Sequence, residues 1–493
     1  MARKPNILII MGDQIRADAL GCYGNACCRT PHFDRLAADG VVFRNSFSPN
    51  PICVPARAVL TTGNYAHVCS GEHGRIKDDQ VKMPAHFVEH GYRTYACGKL
   101  HYEPYAPPGE PRLLHGFQSC DLAESGRLIQ QHDPKGEMRG LEDYHDYLAD
   151  VGWGGYERAH GIGNNDVRPC PTPLPPEHHV DHWVADRTIA RMTEHLASHP
   201  DKPFLIFSSF PKPHSPYDPP WEYVKMYDPR KVPPPAGDES MLADRNAHLE
   251  VERYTRAMTT LSPAARQVIK AYYYALITHQ DAQIGRVLGA LEAAGQAGNT
   301  IVIYCADHGD MMGDFGVYFK AVFLEGSVRT PLLMRGPGVP KGGRPMQLVG
   351  LQDILPTLAA MTGCPLPKPV QGVDLARALS DARAPVRKLY YSQCFHDPRK
   401  SAMVTDGRWK YCYSQRGAVE ELYNLENDPT ELVNLVSRPG NEKLVAAWRE
   451  RLIADALRLG DDALLKDGRL VTSPLDREAI RKLPIREMGW RWY

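Results

Sequence analysis

Apolar residues cluster in this chain in two ways. Three runs are continuous: Ile7-Leu8-Ile9-Ile10-Met11, Phe204-Leu205-Ile206-Phe207 and Ile301-Val302-Ile303-Tyr304-Cys305. Each has strand length and none alternates with polar residues, so each predicts a buried strand covered on both faces. Elsewhere apolar positions recur at helical spacing, over residues 184–196 and over residues 264–294 up to Gly295. The longer helix carries Tyr272-Tyr273-Tyr274, His279 and Asp281, and its period suits a core helix. Shorter signals fill the gaps. Residues 30–37 read as a capped helix, residues 41–47 as a strand, and a further strand follows the helix stop at Gly91. Residues 351–358 predict a helix that closes this unit.

A Pro/Gly-rich link over residues 363–372 follows, and beyond about residue 385 the pattern changes. Tyr390-Tyr391-Ser392 and residues 402–413 read as strands, the second pair turning at Asp406-Gly407. Residues 421–425 continue the strand pattern and residues 441–456 predict a helix. The expected organisation is an α/β catalytic domain over residues 1–375 and an α+β subdomain with a tail over residues 376–493.

Charge and composition narrow the function. Lys+Arg and Asp+Glu are both 58, so the formal net charge is zero. That balance gives no electrostatic case for nucleic acid, and no polybasic run suggests a membrane surface. An anion site must therefore be local. Mean hydropathy is −0.40, and no stretch approaches the roughly 20 apolar residues of a membrane span. The first apolar run is interrupted by Gly12-Asp13-Gln14 before any cleavage-like site, so it reads as a strand rather than a signal peptide. The 12 cysteines have no framework spacing, and Cys22, Cys27 and Cys28 lack a second pair of zinc ligands. A reduced, cytoplasmic protein is expected. Residues 102–180 are irregular and rich in Pro, Gly and His, which suits a substrate pocket. Tyr102, Tyr105, Trp153 and Tyr156 are its candidate lining, with surface packing the equal alternative.

Candidate chemistry sits where the strands stop. Ligands of open α/β sheets bind beyond the carboxyl ends of strands. Asp13-Gln14 follows the first run, Lys99-x-His101 the strand after Gly91, Lys212-Pro213-His214 the second run, and Asp307-His308-Gly309-Asp310 the third. Three prolines around His214 fix its loop. Lys99 and His101, two apart on an extended segment, would point the same way. Singly, each has a bland reading: a turn for Asp13, a solvated rim for Lys99, His101 and Lys212. Cys53-x-Pro55-x-Arg57 opens a small, apolar helical run. Cys53 is either a small buried hydrophobe or a group at a helix N-terminus, where free N–H groups favour an anion. Arg57 lies one turn on.

Cys53-x-Pro55-x-Arg57 with its Leu60-Thr61-Thr62-Gly63 tail resembles the signature of the type I sulfatases, in the alkaline phosphatase superfamily. Ala56 stands where Ser is commoner. Gly98-Lys99-x-His101, Pro211-x-x-His214-x-Pro216, Asp307-His308-Gly309 and Lys320 followed by Glu325-x-x-x-Arg329-x-Pro331 are similar to that family's later motifs, in family order. The resemblance implies a large mixed, mostly parallel sheet sandwiched by helices, with a small antiparallel sheet and helix at the C-terminal end. It implies that Cys53 is converted to 3-oxoalanine (formylglycine) by a formylglycine-generating enzyme, and that the hydrated aldehyde attacks sulfur. It implies one divalent metal held by Asp13, Gln14, the converted Cys53, Asp307 and His308, with Asp310 behind them. Ca²⁺ is the first expectation, Mn²⁺ or Mg²⁺ the alternatives. Lys99 and Lys320 would bind sulfate oxygens, His101 the formylglycine hydroxyl, and His214 the leaving oxygen; Glu325 and Arg329 would pair for structure.

The expected reaction is hydrolysis of a small-molecule or sugar sulfate ester to an alcohol and sulfate. The alternative is a phosphonate monoester or phosphodiester hydrolase of the same superfamily, which Gln14 and His308 suit. Those relatives carry Tyr and Thr near the positions of Lys99 and His101, and the pair here favours sulfate. A non-catalytic scaffold would not need so complete a polar set. Choline, aryl and carbohydrate sulfates all remain open as substrates. The terminal Met488-Gly489-Trp490-Arg491-Trp492-Tyr493 suggests a docking tail, on a partner subunit or an active-site rim.

Overall fold

The computed structural model describes residues 4–71, 74–102, 105, 108–133, 135, 137–381, 384–395 and 398–485. The first apolar run, β1 (Asn6–Gly12), is the centre of a seven-stranded sheet. In chain order the others are β2 (Val41–Val42), β4 (Arg93–Gly98), β5 (Ser119–Leu122), β6 (Phe204–Phe210), β7 (Thr300–Ala306) and β8 (Leu332–Arg335). Their spatial order is β2-β8-β7-β1-β6-β4-β5. Strands β7, β1, β6, β4 and β5 run parallel, while β8 is antiparallel to β7 and to β2. Every residue of β1, β6 and β7 is buried, as unbroken apolar runs require.

Alternate residues of β1 feed two cores. Leu8 and Ile10 face helices α3 (Val180–Ser198) and α4 (Pro263–Ala293), through Trp183, Val184, Ile277 and Ile284. Ile7, Ile9 and Met11 face α2 (Cys53–Thr62) and α5 (Ile354–Thr362), through Val59, Leu60, Leu355 and Leu358. The short helix α1 (Pro31–Ala38) starts at Thr30, whose side chain does not cap it. Asp281 of α4 does so instead, accepting from the His32 and Phe33 amides at 3.2 and 2.8 Å. That gives Asp281 the structural role its period suggested.

A second sheet, β10 (Tyr390–Cys394), β11 (Ser401–Thr405), β12 (Trp409–Ser414) and β13 (Val419–Asn424), is antiparallel throughout. Helix α6 (Glu442–Leu459) packs Val445, Trp448 and Leu452 against it. This sheet braces the approach to α2. The Tyr390 hydroxyl donates to Phe47 O at 2.7 Å, Ser392 Oγ to Ser48 O at 2.8 Å and the Gln393 amide to Pro49 O at 3.1 Å.

Two expectations are corrected. Residues 41–47 do not form one strand: β2 joins the main sheet, and β3 (Asn45–Phe47) leaves it to pair with β9 (Leu348–Gly350). Residues 102–180 are not wholly irregular: they supply edge strand β5 and short helices at Arg127–His132 and Asp143–Asp150. The aromatic tail, 488–493, lies outside the described residues.

Candidate active site

Parallel register brings the candidate residues to one rim. Gly12 is opposite both Phe210 and Ala306, and Gly98 is opposite Ser209. The residues that follow (Asp13, Lys212 to His214, Asp307 and Lys99) therefore leave the sheet together at its carboxyl edge. Gly98 makes the last of these exits possible. Its φ is +98°, and a Cβ there would sit 2.0 Å from Ser209 O.

Cys53 is the first residue of α2 and is buried. Its Sγ lies 3.0 Å from His308 Nε2, 3.2 Å from Lys320 Nζ and 3.9 Å from Asp13 Oδ1. The His308 Nδ1 hydrogen donates to Gly309 O at 2.8 Å, which turns Nε2 toward Cys53. Burial and Asp13 oppose a thiolate, but Lys320, His308 and Lys99 outweigh them and bring the thiol down to about 7. Arg57, one turn along the same helix face, is fully buried. It donates to Asp307 Oδ2 at 2.9 Å, Asp13 Oδ2 at 3.2 Å, Lys99 O at 2.7 Å and Ser209 Oγ at 2.9 Å. Lys99 Nζ meets the same Asp13 oxygen at 2.5 Å. Burial alone would protonate Asp13; Lys99, His214, Arg57 and Lys320 hold its carboxyl well below the usual range.

Asp13, Cys53, Asp307 and His308 place one donor atom each within 4.8 Å of one another, all buried. Two carboxylates and an imidazole with its lone pair turned inward fit a divalent cation. Gln14, held at φ +69°, sits beside this group. Its Oε1 accepts from Lys320 Nζ at 2.7 Å and its Nε2 donates to Asp310 Oδ2. Asp310 is fixed in turn by the Tyr217 hydroxyl at 2.7 Å and by the Met312 and Phe319 amides at 2.7 and 2.9 Å. Gln14 can thus offer a neutral oxygen whose direction is set from behind. Tyr217 and Ser209 were not singled out in the sequence; Tyr217 lies in the same proline-rich segment as His214.

The remaining candidates differ from expectation in instructive ways. His101 adopts φ +56°, so it does not continue an extended segment from Lys99. Its backbone N–H donates to Glu124 Oε1 at 2.6 Å, as does that of Leu100 at 2.9 Å. The ring Nδ1 is buried without a hydrogen-bond partner among the described residues. Burial, Lys99 and Arg127 push the imidazole well below its ordinary pKa. His214 donates Nδ1–H to Ser215 O at 2.9 Å, leaving Nε2 open, and burial and Lys320 likewise favour its neutral form. An imidazolium at His214 therefore needs the negative charge of a substrate nearby. Lys212 is no rim charge. It is buried, paired with Asp218 and bonded to Pro216 O at 2.8 Å, and it ties the His214 loop together. Glu325 does pair with Arg329, at 3.3 Å, but also with the buried Lys410 of β12 at 2.8 Å.

Of the candidate aromatics, Tyr102 and Tyr105 line a cavity with Leu100 and Leu128. Tyr102 is buried against Thr61, their hydroxyls 2.5 Å apart. Trp153 and Tyr156 meet edge to face and Tyr156 is exposed, the surface-packing alternative.

Polar groups gathered at the carboxyl rim of a mostly parallel, helix-sandwiched sheet are the arrangement of an alkaline-phosphatase-like hydrolase. Comparison with known proteins narrows the class. The sulfatase family model matches residues 5–364, and a model described as N-sulphoglucosamine sulphohydrolase, C-terminal, matches residues 313–457. An arylsulfatase of Clostridium perfringens is 31% identical over 472 residues, covering 92% of this chain and 94% of that protein. A choline-sulfatase of Rhizobium meliloti is 26% identical over 450 residues, covering 88% and 83%. The phosphonate monoester hydrolase of Agrobacterium radiobacter superposes with TM-score 0.76 at 24% identity, over 95% of this chain and 100% of that one. BT4656 in complex with its substrate D-glucosamine-2-N,6-O-disulfate gives 0.73 at 21%, over 93% and 99%. At those identities the two structures share the fold. The chain belongs to the sulfatase family and is a sulfuric ester hydrolase.

Proposed function

We propose that this protein hydrolyses a sulfate monoester to an alcohol and sulfate, using formylglycine made from Cys53. The observation that carries this reading is the ring of His308, Lys320 and Asp13 within 3.0–3.9 Å of Cys53 Sγ, at the start of a helix. Here Sγ stands in for the nucleophilic oxygen of the converted residue. Formylglycine, when hydrated, supplies a hydroxyl that attacks sulfur and a second hydroxyl whose deprotonation expels sulfate. A divalent cation, for which we favour Ca²⁺, would be held by Asp13, Asp307, His308 and Gln14 and would offset negative charge on the sulfate oxygens.

The chain's own residues do the rest. Lys99 and Lys320 bind sulfate oxygens from two sides. Arg57 keeps both carboxylates ionised and aimed. His101, neutral and anchored through Glu124, takes the proton of the second hydroxyl. His214 Nε2 is open to hold a proton at the leaving oxygen. Maturation requires a formylglycine-generating enzyme, and 12 free cysteines support a reducing compartment, which we assign as the cytoplasm.

The test is the mass of the peptide carrying Cys53, from protein co-expressed with that enzyme. Conversion makes it about 18 Da lighter, a product outside the ordinary thiol oxidation ladder. Cys53→Ala should then abolish sulfate release from 4-nitrophenyl sulfate. Hydrolysis by protein whose Cys53 remains a thiol would sink the mechanism. Gln14 and His308 also suit a phosphonate monoester hydrolase, so the same preparation should be assayed with phenyl phenylphosphonate. Faster turnover there than on any sulfate would reverse the order of the two readings.

A further inference from the structure

Until Cys53 is converted the centre holds a thiol, and its surroundings then suit a different kind of metal from the one favoured above. Both carboxylates are aimed from outside. Arg57 takes Oδ2 of Asp307 at 2.9 Å and Oδ2 of Asp13 at 3.2 Å, which turns the two Oδ1 atoms inward. The Gln14 and His308 amides fix Asp307 Oδ1 further, at 3.1 and 3.0 Å. His308 donates Nδ1–H to Gly309 O at 2.8 Å, the outer contact that orients a metal-binding imidazole. Cys53 Sγ, on the first residue of α2, completes the set.

The four inward atoms have nearly the spacing of a tetrahedron. His308 Nε2 lies 3.0 Å from Cys53 Sγ, 3.7 Å from Asp307 Oδ1 and 4.0 Å from Asp13 Oδ1, and Sγ lies 3.9 Å from Asp13 Oδ1. Zinc bonded to sulfur, nitrogen and oxygen at their ordinary lengths separates such ligands by about 3.3–3.6 Å, so small shifts close the set on one ion. All four residues are buried, and four protein ligands leave no position for water or substrate. The charge balance also favours a cation in the thiol form. As a thiolate, Cys53 joins Asp13 and Asp307 in facing Arg57, Lys99 and Lys320; formylglycine carries no charge, so conversion removes one of the three anions. Lys320 Nζ, 3.2 Å from Sγ, remains outside the ion as a donor to the bound sulfur. Conversion exchanges this soft donor for a hard one, and hard oxygen is what Ca²⁺ takes.

We infer that the unconverted protein is a zinc protein: Asp13, Cys53, Asp307 and His308 close on one Zn²⁺, and conversion of Cys53 releases it in favour of a harder ion. Binding takes up Zn²⁺ and releases the proton shared by Cys53 Sγ and His308 Nε2, with no change of oxidation state. Molecules that escape conversion are thereby held with their thiol capped and their site shut. The inference rests on the reading that Cys53 is the residue converted.

The test uses full-length protein expressed without the formylglycine-generating enzyme, beside the Cys53→Ser variant and the converted protein. Competition against a chromophoric chelator should find one Zn²⁺ per chain, held about 100-fold or more tighter by the thiol form than by either of the others. Cobalt in place of zinc should give a tetrahedral visible spectrum with a sulfur-to-cobalt charge-transfer band. Cys53→Ser, which keeps every other cysteine, should lack that band. Should this variant not fold, zinc-edge X-ray absorption of the thiol form decides alone. One sulfur beside three nitrogen or oxygen neighbours supports the site; no sulfur, or two or more, overturns it. Equal zinc affinity in the three proteins, or a charge-transfer band that survives Cys53→Ser, also overturns the inference and leaves the formylglycine reading standing. That reading fails on a separate measurement, a Cys53 peptide whose mass is unchanged by co-expression, and the exchange of metals fails with it.

Discussion

Replacing Arg57 by Met keeps the length of the stem and removes one charge from between two fully buried carboxylates. Among the described residues, Asp307 Oδ2 loses its donor at 2.9 Å, and Asp13 Oδ2 keeps only Lys99. Lys99 O and Ser209 Oγ lose donors at 2.7 and 2.9 Å. Breaking a buried ion pair by deleting one partner costs about 3–5 kcal/mol. Summing the bonds one by one would overshoot, since one guanidinium makes them all. At 493 residues, with about 2 cal/mol/K of unfolding entropy per residue, this is a drop in midpoint of about 3–5 °C. A cation between Asp13 and Asp307 would replace part of the missing charge. Saturation at a hundredfold over Kd stabilises by about 2.7 kcal/mol, and the variant, whose carboxylates have lost one counter-ion, should bind more tightly and gain more. Urea unfolding of both proteins, in chelator and in excess CaCl₂, measures this directly. The deficit should be largest in chelator and should narrow with Ca²⁺. A variant within about 1 kcal/mol of wild type in chelator, or a deficit that ignores the cation, refutes Arg57 as counter-ion to the metal carboxylates.

Further outcomes follow from other groups. Tyr217→Phe removes the 2.7 Å bond to Asp310 and so loosens Gln14; calorimetric titration should find metal binding about tenfold weaker, with little loss of fold. His145 lies between Glu142 and Glu157; burial opposes its charge, but the two carboxylates prevail and raise it to about 9. Because the folded value lies above the unfolded one, this stabilisation is complete below about pH 6.5 and is lost as pH rises through 9. Wild-type unfolding free energy should fall by on the order of 2–3 kcal/mol over that window, and His145→Gln should stay flat there. An equal slope in both proteins would remove His145 as the cause.

The parts of the site that were legible in the sequence are those carried by buried strands. Runs such as Ile301 to Cys305 declare themselves because both faces are covered, and parallel register then gathers whatever follows them. Asp13, His214, Asp307 and His308 could be anticipated on that ground. What stayed hidden is made by contacts far apart in sequence. Glu124 follows a four-residue edge strand in a stretch with no period, and its role comes from amides 23 and 24 residues away. Lys212 looked solvated because a lone lysine among prolines usually is; only the fold brings Asp218 and a carbonyl over it. The inference that Lys99 and His101 share a face failed because the positive φ of Gly98 and His101 takes the chain out of the strand.

The charge of the site sets what it can discriminate. Asp13 and Asp307 face Arg57, Lys99 and Lys320, and Gln14 beside them is neutral. With His308 as a neutral ligand, the protein alone holds one excess positive charge, and a divalent cation raises it to three. A sulfate monoester brings one negative charge, and so does a phosphonate monoester. Coulomb attraction to the reacting group therefore favours both alike. Selection must fall on contacts that differ between them, and the fit of Lys99 and His101 around the transferred group is one. Changes in those two residues should therefore move the ratio of kcat/KM between 4-nitrophenyl sulfate and phenyl phenylphosphonate, and an unmoved ratio would take them out of that choice.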